Sequence, residues 1–495
     1  MRRGGRERMR GLGIVGAVVG ALGIACGGTD GIGQPPTAPA CRGEAFEGAP
    51  LSIRCGAFVD AEGREVRLFG VNARVAGLFD VTFDDGRTAL EPIPDFTAAD
   101  ATNIRSMGFN ALRLPLNWSG LEPTESGGFS KAYLARTAEV VELAKAAGLY
   151  VLLDMHQDAY SKEIGEDGAP YWAIVPPPPE RLGGPLVDLE ARRLSKPVAA
   201  AFETFFGSTS EGVRLRARFA KATAEVARAF ADDPAVIGIE AFNEPLGTDG
   251  AIEAFHREIV SAVHAVAPKK LVFFEPSALR NLTDRASIPT RPLGPGTVYA
   301  PHVYTLAFTG TEASVAAMTR ETLRPSNENA ALEAEAWGTP LVVGEFGFSP
   351  KSPRFSDYVA YQSELQDELH ASSFFWLWKE DSQGAWGFFD RKDGTWAERP
   401  DVVAAMTRMR LERVAGRLER VVYDKASETL TFSFFGIEGA SGERLRSRVG
   451  TGRLRGELSV TCDGKGLAAE GTGPIAIPCG GPGRHEVIVR RLGAR

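Results

Sequence analysis

The sequence predicts an α/β fold, a (β/α)8 barrel followed by a small C-terminal antiparallel β-sandwich. Three observations carry that expectation: eight short apolar runs alternate with segments of helical period, polar residues gather at the C-terminal ends of those runs, and past Ala415 the helical period gives way to strict alternation. Strands alternating with helices indicate a parallel sheet covered by helices, and eight such units over roughly 350 residues fit a closed barrel with insertions.

The apolar runs fall at 66–72, 111–115, 150–154, 236–242, 271–275, 298–302, 341–345 and 374–378. Between them, 131–147, 213–231, 251–267 and 355–370 repeat apolar residues at the spacing of an amphipathic helix. The longest insertion, from Met155 to about Gly212, carries Trp172, four prolines at 176–179, and Phe202, Phe205 and Phe206. Long loops on the C-terminal face of a barrel usually carry function. We read this one as a groove wall whose aromatic rings face the site; the alternative is a stiff decorative loop. Beyond Ala415, the stretches 420–424, 429–435, 456–462 and 485–491 alternate apolar with polar between Gly-rich turns, which is the pattern of an antiparallel sandwich. The predicted organisation is an export signal at 1–26, a flexible tether at 27–50, the barrel at 51–413 and the sandwich at 414–495.

Of 495 residues, 44% are hydrophobic and 24% charged, ample material for a soluble globular core. Net charge is −7, and the first 25 residues contribute +4 from five Arg against one Glu, so the rest of the chain carries −11. An acidic body argues against nucleic acid as a partner. The Arg-rich start followed by an apolar stretch at 11–25 reads as an export signal, too short for a membrane span. Leu22-Gly-Ile-Ala-Cys26 resembles the cleavage box of a bacterial lipoprotein, which would make Cys26 a lipidated terminus at a membrane surface. Gly23 stands where leucine is usual, so cleavage by the ordinary signal peptidase is the alternative. The cysteine total of five leaves one over. The other four fall into two local pairs, Cys41 with Cys55 and Cys462 with Cys479, the most economical of three possible pairings in an oxidising compartment.

Two apolar runs end in a glutamate: Val236-Ile-Gly-Ile-Glu-Ala-Phe-Asn243-Glu244-Pro245 and Pro340-Leu-Val-Val-Gly-Glu345-Phe-Gly347. A single Glu is ordinarily a solvated surface charge. Two presented at strand ends suggest the carboxyl pair of a glycosidase, one protonating the leaving oxygen and one attacking the anomeric carbon or activating water. Arg113, inside an apolar run, needs a carboxylate partner such as Glu345, either to keep it ionised or as a purely structural pair. Asp154-Met-His156-Gln-Asp158 offers groups for hydroxyls, with His156 open to a core role as well; Asn243 is placed for a sugar 2-hydroxyl. His302 and Tyr304 follow the sixth run, suited to tuning the acid and holding the attacking glutamate. Trp376 and Trp378 end the eighth on one side of the pleat, with Trp376 the favoured sugar platform over a core role. The six histidines are scattered with no zinc-type spacing, so no metal and no cofactor is expected.

Together, Arg113, His156, Asn243-Glu244-Pro245, His302 with Tyr304, Gly344-Glu345-Phe-Gly347 and Trp376 resemble the recurrent site of glycoside hydrolase family 5, a group of retaining (β/α)8 enzymes, over 51–413. That resemblance implies Glu244 as acid/base and Glu345 as nucleophile. The 154–158 motif, Gly168-Ala-Pro-Tyr-Trp172, Phe274-Glu-Pro276 and the trailing sandwich are most similar to endoglycoceramidases and relatives acting on glycosphingolipids or steryl glucosides. The pattern departs after Gly70-Val-Asn72, where those enzymes carry a lysine and this chain has Arg74, a candidate replacement cation. The resemblance thus implies a β-glycosidase on a glycolipid or related β-glucoside. Its rivals are an endo-β-glucanase or mannanase, and a non-catalytic carbohydrate-binding lipoprotein on the same scaffold.

Overall fold

The computed structural model describes residues 41–289, 291–381, 386–454, 456–469, 471 and 473–493; the predicted export signal, Cys26 and the tether as far as Ala40 lie outside them. The predicted fold is the one observed. Eight parallel strands, β1 (Phe69–Asn72), β2 (Ala111–Asn117), β3 (Tyr150–His156), β4 (Val236–Glu240), β5 (Leu271–Phe274), β6 (Thr297–Tyr299), β7 (Val342–Phe346) and β8 (Ser372–Phe375), pair in the order β7-β8-β1-β2-β3-β4-β5-β6. A parallel bridge between Tyr299 and Leu341 brings the last strand of that order to the first and closes the barrel. All eight lie within a few residues of the sequence expectation, because strands buried on both faces read as continuous apolar runs.

The helices follow the predicted period, at Lys131–Ala146, Ser210–Ala229, Asp249–His264 and Phe355–Glu368. Side-chain caps fix three of their starts: Ser130, Thr209 and Thr248 accept from the backbone N–H groups of Tyr133, Gly212 and Ala251. Among the described residues no helix is long and apolar enough to cross a membrane.

The N-terminal end of the barrel is plugged by its own leader. Leu51, Ile53, Phe58 and Val66 pack with Ala111, Leu152, Leu271, Phe273, Val298 and Phe374 in one buried cluster. Cys41–Cys55 pairs as a disulfide, Phe46 stacks on His264 at 5.6 Å, and Phe46 bridges Ile53, so the region predicted as tether meets fixed structure from Cys41 onward. The short strands at 52–66 also join Arg410–Val414, Arg446–Gly450 and Ile475–Pro478 in a six-stranded antiparallel sheet. A second, five-stranded sheet carries Gly416–Asp424, Thr429–Gly436, Gly483–Arg491, Leu458–Cys462 and Lys465–Leu467. Leu411, Val449 and Ile477 of the first sheet pack with Leu430, Phe432, Phe434 and Val487 of the second, forming the sandwich core. Arg410–Val414 thus runs across the predicted boundary at 413/414, and the first sheet borrows strands from the start of the barrel segment.

Candidate active site

Glu244 and Glu345 meet at the C-terminal face of the barrel, just past β4 and at the end of β7. One carboxylate oxygen of each lies within 4.8 Å of the other and of a ring nitrogen of His302. Both glutamates line a cavity of about 310 Å³ with His156, Asp158, Asn243, Tyr304 and Trp376. Arg113 and His302, the other two residues singled out from the sequence, are buried directly beneath.

Arg113 organises the floor. Its Nη1 donates to Glu345 Oε1 at 2.6 Å and to Asn72 Oδ1 at 2.9 Å, its Nε to Glu240 Oε2 at 2.6 Å, and its Nη2 to Asn243 Oδ1 at 2.8 Å. Nη2 also sits 3.1 Å from Asp154 and 3.4 Å from Glu275. One guanidinium therefore faces four buried carboxyls, which is how an arginine is tolerated inside an apolar strand. Tyr304 donates its hydroxyl proton to Glu345 Oε2 at 2.7 Å, so both oxygens of that carboxyl are fixed. Burial pushes the Glu345 carboxyl above its ordinary range, against the pull of His302 and Arg113.

Glu244 is held differently. Its backbone takes φ 43°, the left-handed region that costs a non-glycine residue about 1–3 kcal/mol unless neighbours over-determine it. Here Glu244 N–H donates to Glu275 Oε2 at 3.2 Å, while Gln157 Nε2 donates to the carbonyls of Asn243 and Glu244 at 2.8 and 3.1 Å. The side chain accepts from His302 Nδ1 at 2.8 Å and Asn281 Nδ2 at 2.6 Å. Burial works to raise this carboxyl; the hydrogen bond and charge of His302, with Arg193 and Asn281, outweigh it and hold the group down at about 2. His302 itself is desolvated, yet the surrounding Glu275, Glu345 and Glu244 carry it well above its ordinary value, so it is the proton holder of the free site. Gly344 makes room for that imidazole: a Cβ there would stand 3.0 Å from Ala300 O and 3.2 Å from His302 Cδ2.

The remaining predicted residues divide by use. His156 Nδ1 bonds Asp154 Oδ2 at 2.6 Å and its ring stacks on Trp376 with centroids 5.6 Å apart. Despite desolvation, Asp154 lifts His156 to about 9, leaving a cationic donor beside the indole. Trp378 is buried and donates Nε1–H to Asp100 at 3.0 Å, so of the two tryptophans only Trp376 faces the cavity. Asp158 reaches the cavity wall, but its carboxylate is engaged by Arg193 through Nε at 2.8 Å and through Nη2. Asn243 commits Oδ1 to Arg113 and one amide proton to Gln157 O at 3.0 Å, keeping its second proton.

The insertion does wall the cavity, but not with the aromatics expected. Phe202, Phe205 and Phe206 are buried among Phe219, Phe242 and Phe255, and Trp172 packs edge-on against Trp118 and donates to Glu122 O at 3.1 Å. Aromatic residues at i, i+3 and i+4 on the helix Lys196–Phe206 are the core face of that helix, and the core won. The wall is instead Leu186, Leu189, Glu190 and Arg193, facing Phe308 and Trp386, whose rings stack at 5.6 Å. Glu275, Asn281, Gln157, Glu240 and Glu380 complete the site; none was given a role from the sequence, although Gln157 and Glu275 stand inside the quoted motifs 154–158 and 274–276. Glu240 and Glu275 could have been given one, since each also ends or follows an apolar run.

Arg74 lies at the cavity's edge, buried against Glu91, Glu166 and Glu380 at 2.5–3.1 Å. Two acidic groups of metal-like spacing occur here, Glu244–His302–Glu345 and Glu240–Glu275–His302. Both include His302, whose proton claims its lone pair, and Arg113 lies 2.6 Å from a carboxylate of each, so cationic charge is already supplied.

Residues 59–382 match the family model described as Cellulase (glycosyl hydrolase family 5). The chain is 30% identical over 265 residues to endoglycoceramidase I of Rhodococcus hoagii (strain 103S), covering 50% of this chain and 51% of that one, about half the relative's length. It is 32% identical over 134 residues to a glucosylceramidase of Aspergillus fumigatus, covering 24% and 17%. Among solved structures it is similar to an endogalactoceramidase, with a TM-score of 0.73 and 25% identity over 90% of this chain and 100% of that one.

Proposed function

From the premise that the chain belongs to glycoside hydrolase family 5, we propose that it is a retaining β-glycosidase acting by double displacement on a glycolipid: a glycosphingolipid, glucosylceramide or steryl glucoside. The observation that carries the chemistry is the carboxyl pair, with oxygens within 4.8 Å. An inverting enzyme needs a water between its carboxyls and separates them by about 6.5–9.5 Å; a retaining one holds them at about 5–5.5 Å.

Glu345, oriented by Arg113 and Tyr304, attacks the anomeric carbon and forms the glycosyl-enzyme bond as the bond to the aglycone oxygen breaks. Glu244 delivers the proton that oxygen needs. In the free site that proton rests on His302. Closing an aglycone over Glu244 excludes water and raises the carboxyl's affinity for the proton, which passes along the 2.8 Å bond from Nδ1 to Oε1. The ionised Glu244 then takes a proton from water as water attacks the glycosyl-enzyme, releasing the sugar with its original configuration and restoring Glu345.

Support for a lipid aglycone comes from the cavity's two characters. Arg74, His156, Glu380 and Asn243 bring polar groups to its lining, whereas Leu186, Leu189, Phe308 and Trp386 bring apolar surface. A second reading, an endo-β-glucanase or mannanase, follows from the description of the matched family model, but a polymer would call for a long open cleft of stacked aromatics. Product analysis after incubation with glycosphingolipids, steryl glucosides and β-glucans tests the choice. Release of free ceramide or sterol supports the proposal; cleavage of β-glucan alone refutes it.

The proposal extends to location. Export and lipidation at Cys26 would hold the enzyme at a membrane surface, where glycolipids are. The Leu22-Gly-Ile-Ala-Cys26 motif supports this, as does the pairing of the other four cysteines, Cys41–Cys55 and Cys462–Cys479, which leaves Cys26 as the odd one of five.

A further inference from the structure

A second cavity of about 310 Å³ opens on the flank of the barrel, behind β5. Ile252, Phe274, Ala286, Ile288, Tyr299 and Trp337 give it a largely apolar lining, with Asp249, Glu253, Ser277 and Ser287 among its polar residues. His256 of that lining, on the helix Asp249–His264, is a buried polar group, only 2% exposed. Its Nε2 lies 2.8 Å from the backbone oxygen of Glu275. A carbonyl oxygen can only accept, so Nε2 carries the ring proton and Nδ1 presents a bare lone pair. Among the described residues Nδ1 has no hydrogen-bond partner. Desolvation holds this histidine down at about 4, so the ring stays neutral and the lone pair stays an acceptor at physiological pH.

A buried acceptor without a partner is uncommon in a native interior and asks for a ligand or an ordered water. We propose that this cavity is a binding site for a small apolar molecule that carries one hydroxyl donor, its hydrocarbon part against Phe274, Ile288 and Trp337 and its O–H directed to His256 Nδ1. An anion is excluded by chemistry, since a carboxylate or phosphate brings no donor to a lone pair. The site is distinct from the catalytic cavity, although Glu275 belongs to both: its carbonyl fixes His256, and its carboxyl receives the N–H of Glu244.

The test uses the full-length protein with n-octanol and, as a probe of similar length without a donor, methyl heptyl ether. Binding is followed by calorimetry and by the ¹⁵N signal of His256 Nδ1, identified by its loss in His256→Gln. We expect saturable octanol binding, about two- to tenfold tighter than the ether, the worth of one neutral hydrogen bond. We also expect an upfield Nδ1 shift with octanol alone. Ile288→Trp, at a position 51% exposed on the rim, should fill the cavity and abolish binding of both probes. No saturable binding, equal affinity for the two probes with Nδ1 unmoved, or binding that survives Ile288→Trp would each overturn the proposal. So would an Nδ1 signal already at its hydrogen-bonded position and indifferent to octanol, which would mark a niche for water only.

Discussion

At the residue scale the two carboxyls proposed as catalytic differ in what grips them, and their variants should fail differently. Glu345 has both oxygens fixed by Arg113 and Tyr304. Glu345→Gln keeps the shape but removes the nucleophile, so kcat should fall by at least about 10⁴-fold with the fold intact. A mechanism-based fluoro-sugar should label the wild type at Glu345 by peptide mass spectrometry; a label elsewhere removes the residue from its role. Glu244→Ala removes only proton transfer, so substrates with poor leaving groups should slow by about 10²–10⁴-fold while activated aryl glycosides slow far less. Azide should restore turnover of the activated substrates as a β-glycosyl azide. Equal losses on both substrate types, with no azide product, would count against the acid/base role. His156 gives a pH test. Asp154 raises it from 6.5 to about 9 against the cost of burial. A raised pKa stabilises the fold fully below the unfolded value of 6.5, and that increment disappears as pH rises through about 9. The unfolding free energy of wild type minus His156→Asn should therefore shrink between those values by no more than about 3 kcal/mol. A difference that stays constant across the range would mean that the imidazolium contributes nothing.

At the element scale, the barrel was legible because its strands are covered on both sides and read as apolar runs, and the site because Glu244 just past β4 and Glu345 at the end of β7 each close such a run. What escaped the sequence has equally physical causes. The strands Arg410–Val414, Arg446–Gly450 and Ile475–Pro478 are short, and two of them carry arginines that break the alternation. The Phe202, Phe205 and Phe206 rings looked like a sugar wall because composition alone cannot tell an aromatic platform from an aromatic core. Glu275 and Asn281 act on Glu244 from just past β5 and from the short helix Arg280–Thr283, a proximity set by barrel closure and not by sequence distance. The strand β1 shows how tightly the barrel interior is packed. A Cβ on Gly70 would stand 2.3 Å from Phe374 Cδ1 and 2.9 Å from Ala111 O. Gly70→Ala should thus destabilise the protein by about 1–3 kcal/mol through overpacking, measured by urea unfolding. Adding Phe374→Leu should recover part of the loss, since it removes the clashing ring edge; no recovery would place the strain in the backbone instead.

At the scale of the whole molecule, the N-terminal leader, the barrel and the sandwich are one hydrogen-bonded body among the described residues, because strands from 52–66 lie in the same sheet as Arg410–Val414. The disulfide Cys41–Cys55 closes a loop of sequence separation 14 that includes the first strand of that sheet, Ser52–Arg54. Any anchor attached upstream of Cys41 would therefore load a covalently pinned segment and not a frayed end. The proposed anchor is Cys26, and its strength is a matter of chain number. One acyl chain gives only marginal, reversible membrane binding, so a stable hold requires the multiply acylated cysteine of a bacterial lipoprotein. Cys26→Ser should move the enzyme from the membrane to the soluble fraction on cell fractionation, with turnover of a soluble aryl glucoside unchanged, since Cys26 lies far in sequence from every residue of the catalytic cavity. Turnover of a glycolipid presented in vesicles should drop, because the anchor no longer concentrates the enzyme on the surface that holds its substrate. Mass spectrometry of the mature N-terminus checks the chemistry directly. A terminus other than an acylated Cys26 would end the anchoring proposal while leaving the carboxyl pair, and the reaction it supports, untouched.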